Sequence, residues 1–293
     1  MGIEQSKMLF IDQPLKFKIV YDPSLAPNEE DYLFCFSNHQ MGLSLDHCVP
    51  RVVSLLKKFS QEKLYCFAEI DGHRCFLWDR DMEDFNLEFF DLRPSALLLP
   101  SEFQHAAVLG GYLHRFRMIN HYCGCCGAKM KDMIVERARQ CSVCQHIVYP
   151  KISPCIIVLV VKDNEILLAR SSHFPPGNLS VLAGFLNPSE TVEQGVVREV
   201  KEEVGIDIKN LEYIGSQPWL FPESLMLGFI AEYQSGTLKI DSSEIEFARW
   251  FNIHALPSLP SEISIARYLI ELYLSRRISP KSSKIGAFGV CAE

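Results

Sequence analysis

The stretch that decides the fold runs from Gly184 to Ile206 and reads GFLNPSETVEQGVVREVKEEVGI. Its second part predicts a helix from about Glu190 to Val204, preceded by Pro188-Ser189 as cap residues and ended by Gly205. Valine recurs at every fourth position of this segment, at Val192, Val196, Val200 and Val204. One face of the helix is therefore apolar and is expected to pack on a sheet.

Three glutamates share another side of this predicted helix. Glu199, Glu202 and Glu203 stand at positions i, i+3 and i+4, so their carboxylates project together and repel one another. A divalent cation offsets that repulsion, and Mg²⁺ prefers oxygen ligands of this kind. A solvated acidic face is the alternative interpretation of a lone Glu-x-x-Glu-Glu, and the surrounding positions decide between the two.

Nine spaced positions of the stretch match the signature of the Nudix hydrolases. They are Gly184, Glu190, Arg198, Glu199, Val200, Glu202, Glu203, Gly205 and Ile206. Agreement at so many positions favours a catalytic site over a solvated acidic face. The resemblance implies an α+β fold, the Nudix α/β/α sandwich with a mixed sheet, and an enzyme that hydrolyses a diphosphate.

The same resemblance implies roles for the residues of the Gly184–Ile206 stretch, which is called the Nudix box. Glu199 and Glu203 are expected to hold Mg²⁺ or Mn²⁺, with Glu202 as a further ligand or the general base. Glu190 and Arg198 are expected to orient these carboxylates, with an ordinary surface ion pair as the alternative. Outside the helix, Ala183 and Glu244 match family positions that contact metal or substrate. Glu246 is the rival of Glu244, because a two-residue slip would exchange them.

Four cysteines before the box form two Cys-x-x-Cys pairs. Cys123 with Cys126 and Cys141 with Cys144 are separated by fourteen residues, which is the spacing of a zinc ribbon. Four protein ligands leave no open coordination position, so this Zn²⁺ is expected to be structural. Cys125, inside the first pair, complicates the choice of ligands. A nucleic-acid-binding ribbon is the alternative.

A segment after the box narrows the family. Residues Ser216 to Ser224 read SQPWLFPES, which resembles the SQPWPFPxS element of the NADH pyrophosphatase family of Nudix hydrolases. Leu220 replaces the usual proline and frees a backbone dihedral. This resemblance implies cleavage of NAD(H) into NMN(H) and AMP, and bacterial members also remove NAD caps from RNA 5′ ends. ADP-ribose or another nucleoside diphosphate derivative as substrate, and a non-catalytic nucleotide sensor, remain alternatives.

The resemblance also implies contacts with the substrate. The positions are Arg93, Glu136, Tyr149, Phe185, Gln217, Pro218, Trp219, Leu220, Phe221, Pro222, Glu223, Ser224 and Ala266. Tyr149 and Phe185 would stack on a base, because aromatic faces suit that task; for Tyr149, packing at a domain junction is the alternative. Inside the box, Asn187 stands where the family commonly has a carboxylate, which predicts altered metal stoichiometry or substrate preference.

Four segments are predicted along the chain. A small, mostly β domain (1–118) ends with a helix near His105–Asn120, and a zinc ribbon (119–150) follows it. The Nudix domain (151–278) comes next, and a polar, flexible tail (279–293) ends the chain. Predicted strands of the Nudix domain are Cys155–Lys162, Glu165–Arg170, Glu212–Ile214, Ser224–Tyr233 and Ala248–Asn252, and its last helix is Ser261–Arg277.

Composition limits the location and partners of the chain. The 293 residues carry a formal net charge of −7, which argues against holding nucleic acid mainly by phosphate attraction. Eleven cysteines without a secretory signal suit a reducing cytoplasm. The longest apolar run, Cys155–Val161, is too short to cross a bilayer, so no membrane partner is expected. A homodimer is implied by the family resemblance.

Overall fold

The computed structural model describes residues 16–22, 25–37, 39–52, 64–78, 87–171, 177–221 and 223–278. The chain forms two compact units. Within the described residues, the first unit covers 16–152 with 220–223, and the second unit covers 153–219 with 224–278. The predicted tail (279–293) and Pro222 lie outside the described residues.

The first unit begins with a six-stranded sheet followed by two helices. In chain order these are β1 (Phe17–Ile19), β2 (Tyr32–Ser37), β3 (Gln40–Ser44), β4 (Tyr65–Ile70), β5 (His73–Trp78), β6 (Leu87–Asp91), α1 (Leu92–Leu98) and α2 (Ser101–Ile119). The strands lie in the order β1-β4-β5-β2-β3-β6, and only the β2–β5 pair among them is parallel. The sequence predicted α2 but not α1.

Helix α2 packs closely on this sheet. A Cβ added to Gly110 would lie 3.0 Å from ring atoms of both Phe36 and Phe67. Glycine at this point therefore lets the helix backbone approach two strands. A second apolar cluster is built on Leu33, Cys35, Cys66, Phe76 and Trp78.

The cysteine-rich segment of the first unit forms a small antiparallel sheet. Its strands are β7 (Met130–Asp132), β8 (Arg139–Cys141) and β9 (Ile147–Val148). The buried Arg139 side chain donates to the carbonyl oxygens of Arg117 and Met130, at 3.1 and 2.9 Å. Arg117 in turn pairs with Asp132 at 2.6 Å. These bonds join the three-stranded sheet to the end of α2.

The second unit is a mixed sheet with helices. Its elements are β10 (Ser153–Lys162), β11 (Glu165–Ser171), β12 (Leu182–Phe185), α3 (Val192–Val204), β13 (Asp207–Trp219), β14 (Ser224–Ser235), β15 (Ile245–Asn252) and α4 (Ile265–Ile278). The strand order is β13-β14-β10-β11-β15, and β12 pairs with β10. The β10–β14 pair is parallel and the other pairs are antiparallel.

Alternate residues of β10 build two separate cores. Ile156, Val158 and Val160 pack with the valines of α3. Ile157, Leu159 and Val161 pack instead with α4, around Leu269 and Ile270. A buried parallel strand that is apolar on both faces explains this arrangement. The predicted α/β/α sandwich with a mixed sheet is confirmed.

The ends of the two helices differ from the prediction. Helix α3 begins at Val192, and its cap is Thr191 rather than Pro188-Ser189. Thr191 Oγ1 accepts from the Gln194 amide while Gln194 Oε1 accepts from the Thr191 amide, a capping box. Gly205 ends the helix with a φ of 74°, as predicted. Helix α4 begins at Ile265, four residues later than the predicted Ser261.

Strands β13 and β15 differ most from the prediction, because each begins three or more residues before its predicted start. Strand β13 extends from Asp207 to Trp219, so the first part of the SQPWLFPES segment is strand rather than loop. Strand β15 begins three residues before the predicted Ala248. Among the described helices, none has the length and apolar character needed to span a membrane.

Candidate active site

Three carboxylates from two parts of the second unit meet at one place. Oxygen atoms of Glu199 and Glu203 on α3 and of Glu244, just before β15, lie within 4.8 Å of one another. Glu199 and Glu203 are buried and Glu244 is exposed. This geometry offers oxygen ligands from two sides to a divalent cation.

A backbone link brings Glu244 to the helix. The Asp241 amide donates to the Glu203 carbonyl at 3.0 Å, and the Ile245 amide donates to the Asp241 carbonyl at 2.9 Å. Asp241 Oδ1 also accepts from the Ser243 amide at 2.9 Å, which is an Asx turn. The turn was not predicted, although Asp-Ser-Ser at 241–243 is a local signal for it.

Burial and mutual repulsion shape the charges of the cluster. Burial, together with repulsion from the nearby carboxylates of Glu199, Glu244 and Glu202, raises the pKa of Glu203 to about 8. Burial also raises the pKa of Glu199, although Arg198 opposes that rise. Glu203 Oε2 is buried and has no hydrogen-bond partner among the described residues. A divalent cation fits this site, because the unpartnered Glu203 oxygen could coordinate it and its charge would offset the repulsion between the carboxylates.

Arg198 is the centre of the hydrogen bonds around the cluster. Its guanidinium binds both carboxylate oxygens of Glu190, at 2.6 and 2.8 Å, and donates to Glu199 and Glu202, each at 2.8 Å. It also donates to the carbonyl oxygen of Phe185 at 3.0 Å. The Arg198 hydrogen bonds, with a further one from the backbone amide of Asn187, lower the pKa of Glu190 to about 2. Glu190 is thus directed at Arg198 rather than at the carboxylate cluster.

The structure separates residues that the helical spacing grouped together. The Glu202 side chain is 58 % exposed, pairs with Arg198, and lies outside the three-carboxylate cluster. Glu246, the rival of Glu244, forms an ion pair with Arg170 instead. Of the two rivals, Glu244 is the one that the fold places beside Glu199 and Glu203.

The four predicted cysteines meet in the first unit. The Sγ atoms of Cys123, Cys126, Cys141 and Cys144 lie within 4.8 Å of one another. The backbone amides of Val143 and Cys144 donate to Cys141 Sγ and lower the pKa of that thiol to about 6. Thiolates held by backbone amides are the donors that a tetrahedral metal ion requires. The exposed Cys125 lies outside this cluster.

The predicted substrate residues of the first unit make specific contacts. Tyr149, 53 % exposed, donates from its hydroxyl to Glu136 Oε1 at 3.0 Å. The Arg93 guanidinium lies 5.7 Å from the ring centre of Phe221, and Glu223 pairs with Lys151 at 2.8 Å. Leu220 is half-buried.

The predicted substrate residues of the second unit range from exposed to buried. Phe185 is 57 % exposed at the end of β12, while Ala183 is half-buried two residues earlier. Pro218 and Trp219 are half-buried at the end of β13. Buried members of the set are Gln217, Ser224 and Ala266.

Comparison with known proteins agrees with this site. The NUDIX domain family matches residues 151–273. The chain is 48 % identical over 185 residues to an NAD-capped RNA hydrolase NudC of Pseudomonas putida, a match that spans 62 % of this chain and 67 % of that protein. The chain belongs to the NADH pyrophosphatase family of the Nudix hydrolases. Members of this superfamily use divalent metal ions, which suits the carboxylate cluster.

Other proteins are similar to the chain over shorter spans. An NAD-capped RNA hydrolase NudC of Pseudomonas aeruginosa is 57 % identical over 158 residues, which are 54 % of this chain and 57 % of that protein. The match therefore spans a little over half the length of that relative. A crystal structure of a NUDIX hydrolase from Nitrosomonas europaea covers 54 % of this chain and 93 % of its own, with 20 % identity and a TM-score of 0.47.

Proposed function

We propose that the protein hydrolyses the diphosphate of NAD(H) to NMN(H) and AMP, with Mg²⁺ or Mn²⁺ held by Glu199, Glu203 and Glu244. The observation that carries this proposal is the meeting of three carboxylates within 4.8 Å, one of them with a buried oxygen that lacks a hydrogen-bond partner among the described residues. Burying carboxylates so close together costs free energy, and a site without a metal ion gives no compensation for that cost.

The divalent cations, when bound, neutralise charge on the diphosphate oxygens and lower the pKa of the attacking water. Glu199, Glu203 and Glu244 would hold them, and the family resemblance adds the backbone of Ala183 as a further proposed oxygen ligand. Glu202 lies on the same helix and pairs with Arg198, and it is the proposed acceptor of the proton from the attacking water. Arg198 and Glu190 orient these carboxylates without touching the substrate.

The dinucleotide is favoured over other diphosphates by the segment after the box. Gln217 to Ser224 are expected to form part of the substrate site, with Ala266 and the exposed rings of Tyr149 and Phe185 as further contacts. Glu136 holds the Tyr149 hydroxyl, which fixes the ring for stacking. The similarity to NAD-capped RNA hydrolases supports NAD-capped RNA as a second proposed substrate. The intact carboxylate cluster disfavours a non-catalytic sensor.

The remaining proposals concern assembly and location. The Cys123, Cys126, Cys141 and Cys144 cluster is proposed to hold a structural Zn²⁺. A homodimer, implied by the family, would be tested by the molecular mass in solution. A reducing compartment such as the cytoplasm would keep the four thiolates available to the metal.

A substrate panel tests the proposal. The protein is incubated with NADH, NAD⁺, ADP-ribose and NAD-capped RNA in Mg²⁺ and in Mn²⁺, and the products are separated. We expect NMN(H) and AMP from the dinucleotides, and a 5′-monophosphate RNA from the capped RNA. Cleavage of ADP-ribose at a higher kcat/KM than NADH would transfer the assignment to the alternative substrate class.

A further inference from the structure

The side chain of Gln217 lies wholly inside the second unit, with 0 % exposure. Its carboxamide nitrogen donates to the Ile263 carbonyl at 2.8 Å, and its carboxamide oxygen accepts from the Ile265 amide at 2.8 Å. These backbone partners fix the orientation of the carboxamide, because a carbonyl accepts and an N–H donates. Gln217 therefore joins the end of β13 to the residues that open α4.

Packing holds the start of α4 at the same point. Ile265 is buried against Gly228 of β14, where an added Cβ would lie 2.7 Å from the Ile265 Cδ1 atom. Ser264 precedes the helix, and its hydroxyl accepts from the Arg267 amide at 3.3 Å. The first backbone amides of a helix have no hydrogen-bond acceptor inside it. The carboxamide oxygen of Gln217 is the acceptor for the amide of Ile265.

We propose that Gln217 is a positioning residue that fixes the start of α4, and with it Ala266, for the substrate. This inference rests on the proposed function, in which Ala266 contacts the dinucleotide. The carboxamide uses both its nitrogen and its oxygen inside the fold. The side chain has 0 % exposure, so a ligand could reach the carboxamide only if the residues around it moved apart, at a cost of about 1 kcal/mol or more for each polar group left unpaired by that movement. Pro218 and Trp219, which are half-buried, make the direct contacts of this segment.

The variant Gln217→Leu tests the inference by two measurements. Without substrate, hydrogen exchange in peptides covering 261–268 should become at least about tenfold faster than in the wild type, because the Ile265 amide loses its acceptor. With NADH, KM should rise about tenfold while kcat stays within about twofold. Gly228→Ala should raise KM in the same way, since it displaces Ile265. Lys209→Met, a polar-to-apolar change at an exposed site of β13, is the matched control and should alter neither measurement.

The variant Gln217→Glu distinguishes a positioning role of Gln217 from a simple loss of folding, because its binding of NADH should be rescued at low pH. In Gln217→Glu, a protonated carboxyl group can donate to Ile263 and accept from Ile265, whereas the carboxylate can only accept. KM relative to the wild type should therefore be near 1 at the acid end of a series from pH 5.5 to 9 and rise with pH. A raised KM without faster exchange at 261–268 would overturn the inference, as would faster exchange with unchanged KM. A wild-type protein that does not cleave NADH would refute the proposed function instead, while the exchange measurement would still report on the Gln217 contact.

Discussion

The carboxylate of Glu199 lies directly against the backbone of Gly184. A Cβ added to Gly184 would be 2.0 Å from the carboxyl carbon of Glu199 and 2.2 Å from each of its oxygens. With the Glu199 carboxylate in this position no Cβ fits at residue 184, so glycine lets α3 place that carboxylate against the backbone of β12.

The variant Gly184→Ala should therefore lose activity while the protein stays folded. The backbone of Gly184 does not have a positive φ, so alanine causes no dihedral strain, and the clash is confined to Glu199. We expect kcat to fall at least about 100-fold, with a far-UV circular dichroism spectrum like that of the wild type. Unchanged kcat would show that Glu199 does not need its place beside β12.

Replacement of Arg198 by lysine keeps the charge but removes the planar fork. Lysine cannot bind both oxygens of Glu190 while also reaching Glu199 and Glu202. We expect kcat/KM to fall about 10- to 100-fold, as for other residues that orient metal ligands. Arg276→Lys is the matched control, because the contact that Arg276 makes among the described residues is an exposed ion pair with Glu212; such pairs contribute about 0–1 kcal/mol. Equal kinetics in both variants would contradict the role given to Arg198.

The stability of the metal-free protein should depend on Glu203 between about pH 5 and 8. The pKa of Glu203 is raised in the folded protein to about 8, from an ordinary value of 4.5. The folded state therefore binds more protons than the unfolded state in this window, and the free energy of unfolding falls as the pH rises. We expect the Tm difference between Glu203→Gln and wild type to grow by roughly 5 °C from pH 5 to 8, measured in EDTA by thermal unfolding. Added Mg²⁺ should reduce that difference, and a difference independent of pH would disprove this account of Glu203.

Replacement of one cysteine of the proposed zinc site should weaken the contacts of β8 with its neighbours. Cys141 is a member of the thiolate cluster, and Arg139, two residues before it, bonds to the end of α2. In Cys141→Ser we expect the zinc content, measured by atomic emission, to fall well below the expected value of about one ion per chain, with a lower Tm. Cys125→Ser changes the neighbouring exposed thiol and should leave both values unchanged. Equal zinc loss in the two variants would mean that the ligand set is different.

The spacing of the Gly184–Ile206 stretch was sufficient to predict α3 and its Gly205 end, and the resemblance to the Nudix hydrolases implied the mixed sandwich. The start of α3 was wrong because Pro188-Ser189 resembles a cap, although Thr191 and Gln194 form the actual capping box. Spacing also could not separate Glu202 from Glu203, since both lie within one turn of Glu199. Only the tertiary position of Arg198 shows which carboxylate turns outward.

Two other features could not be predicted from the sequence and became visible only in the folded chain. Helix α1 is short, with no acidic residue in its first turn and no basic residue in its last, so its sequence gives little local signal. Gln217 was assigned to the substrate by resemblance, whereas its hydrogen bonds to Ile263 and Ile265 are made between segments far apart in the sequence. A local sequence pattern cannot predict a contact between residues so far apart in the sequence.

The most direct test of the central claim is Mg²⁺-dependent turnover of NADH by wild-type protein and by Glu203→Gln, with both products identified by chromatography. The account predicts stoichiometric NMNH and AMP from the wild type, with loss of about 1,000-fold or more in kcat for the variant. NADH should still bind to the variant. Equal turnover by the two proteins, or products other than NMNH and AMP, would contradict it.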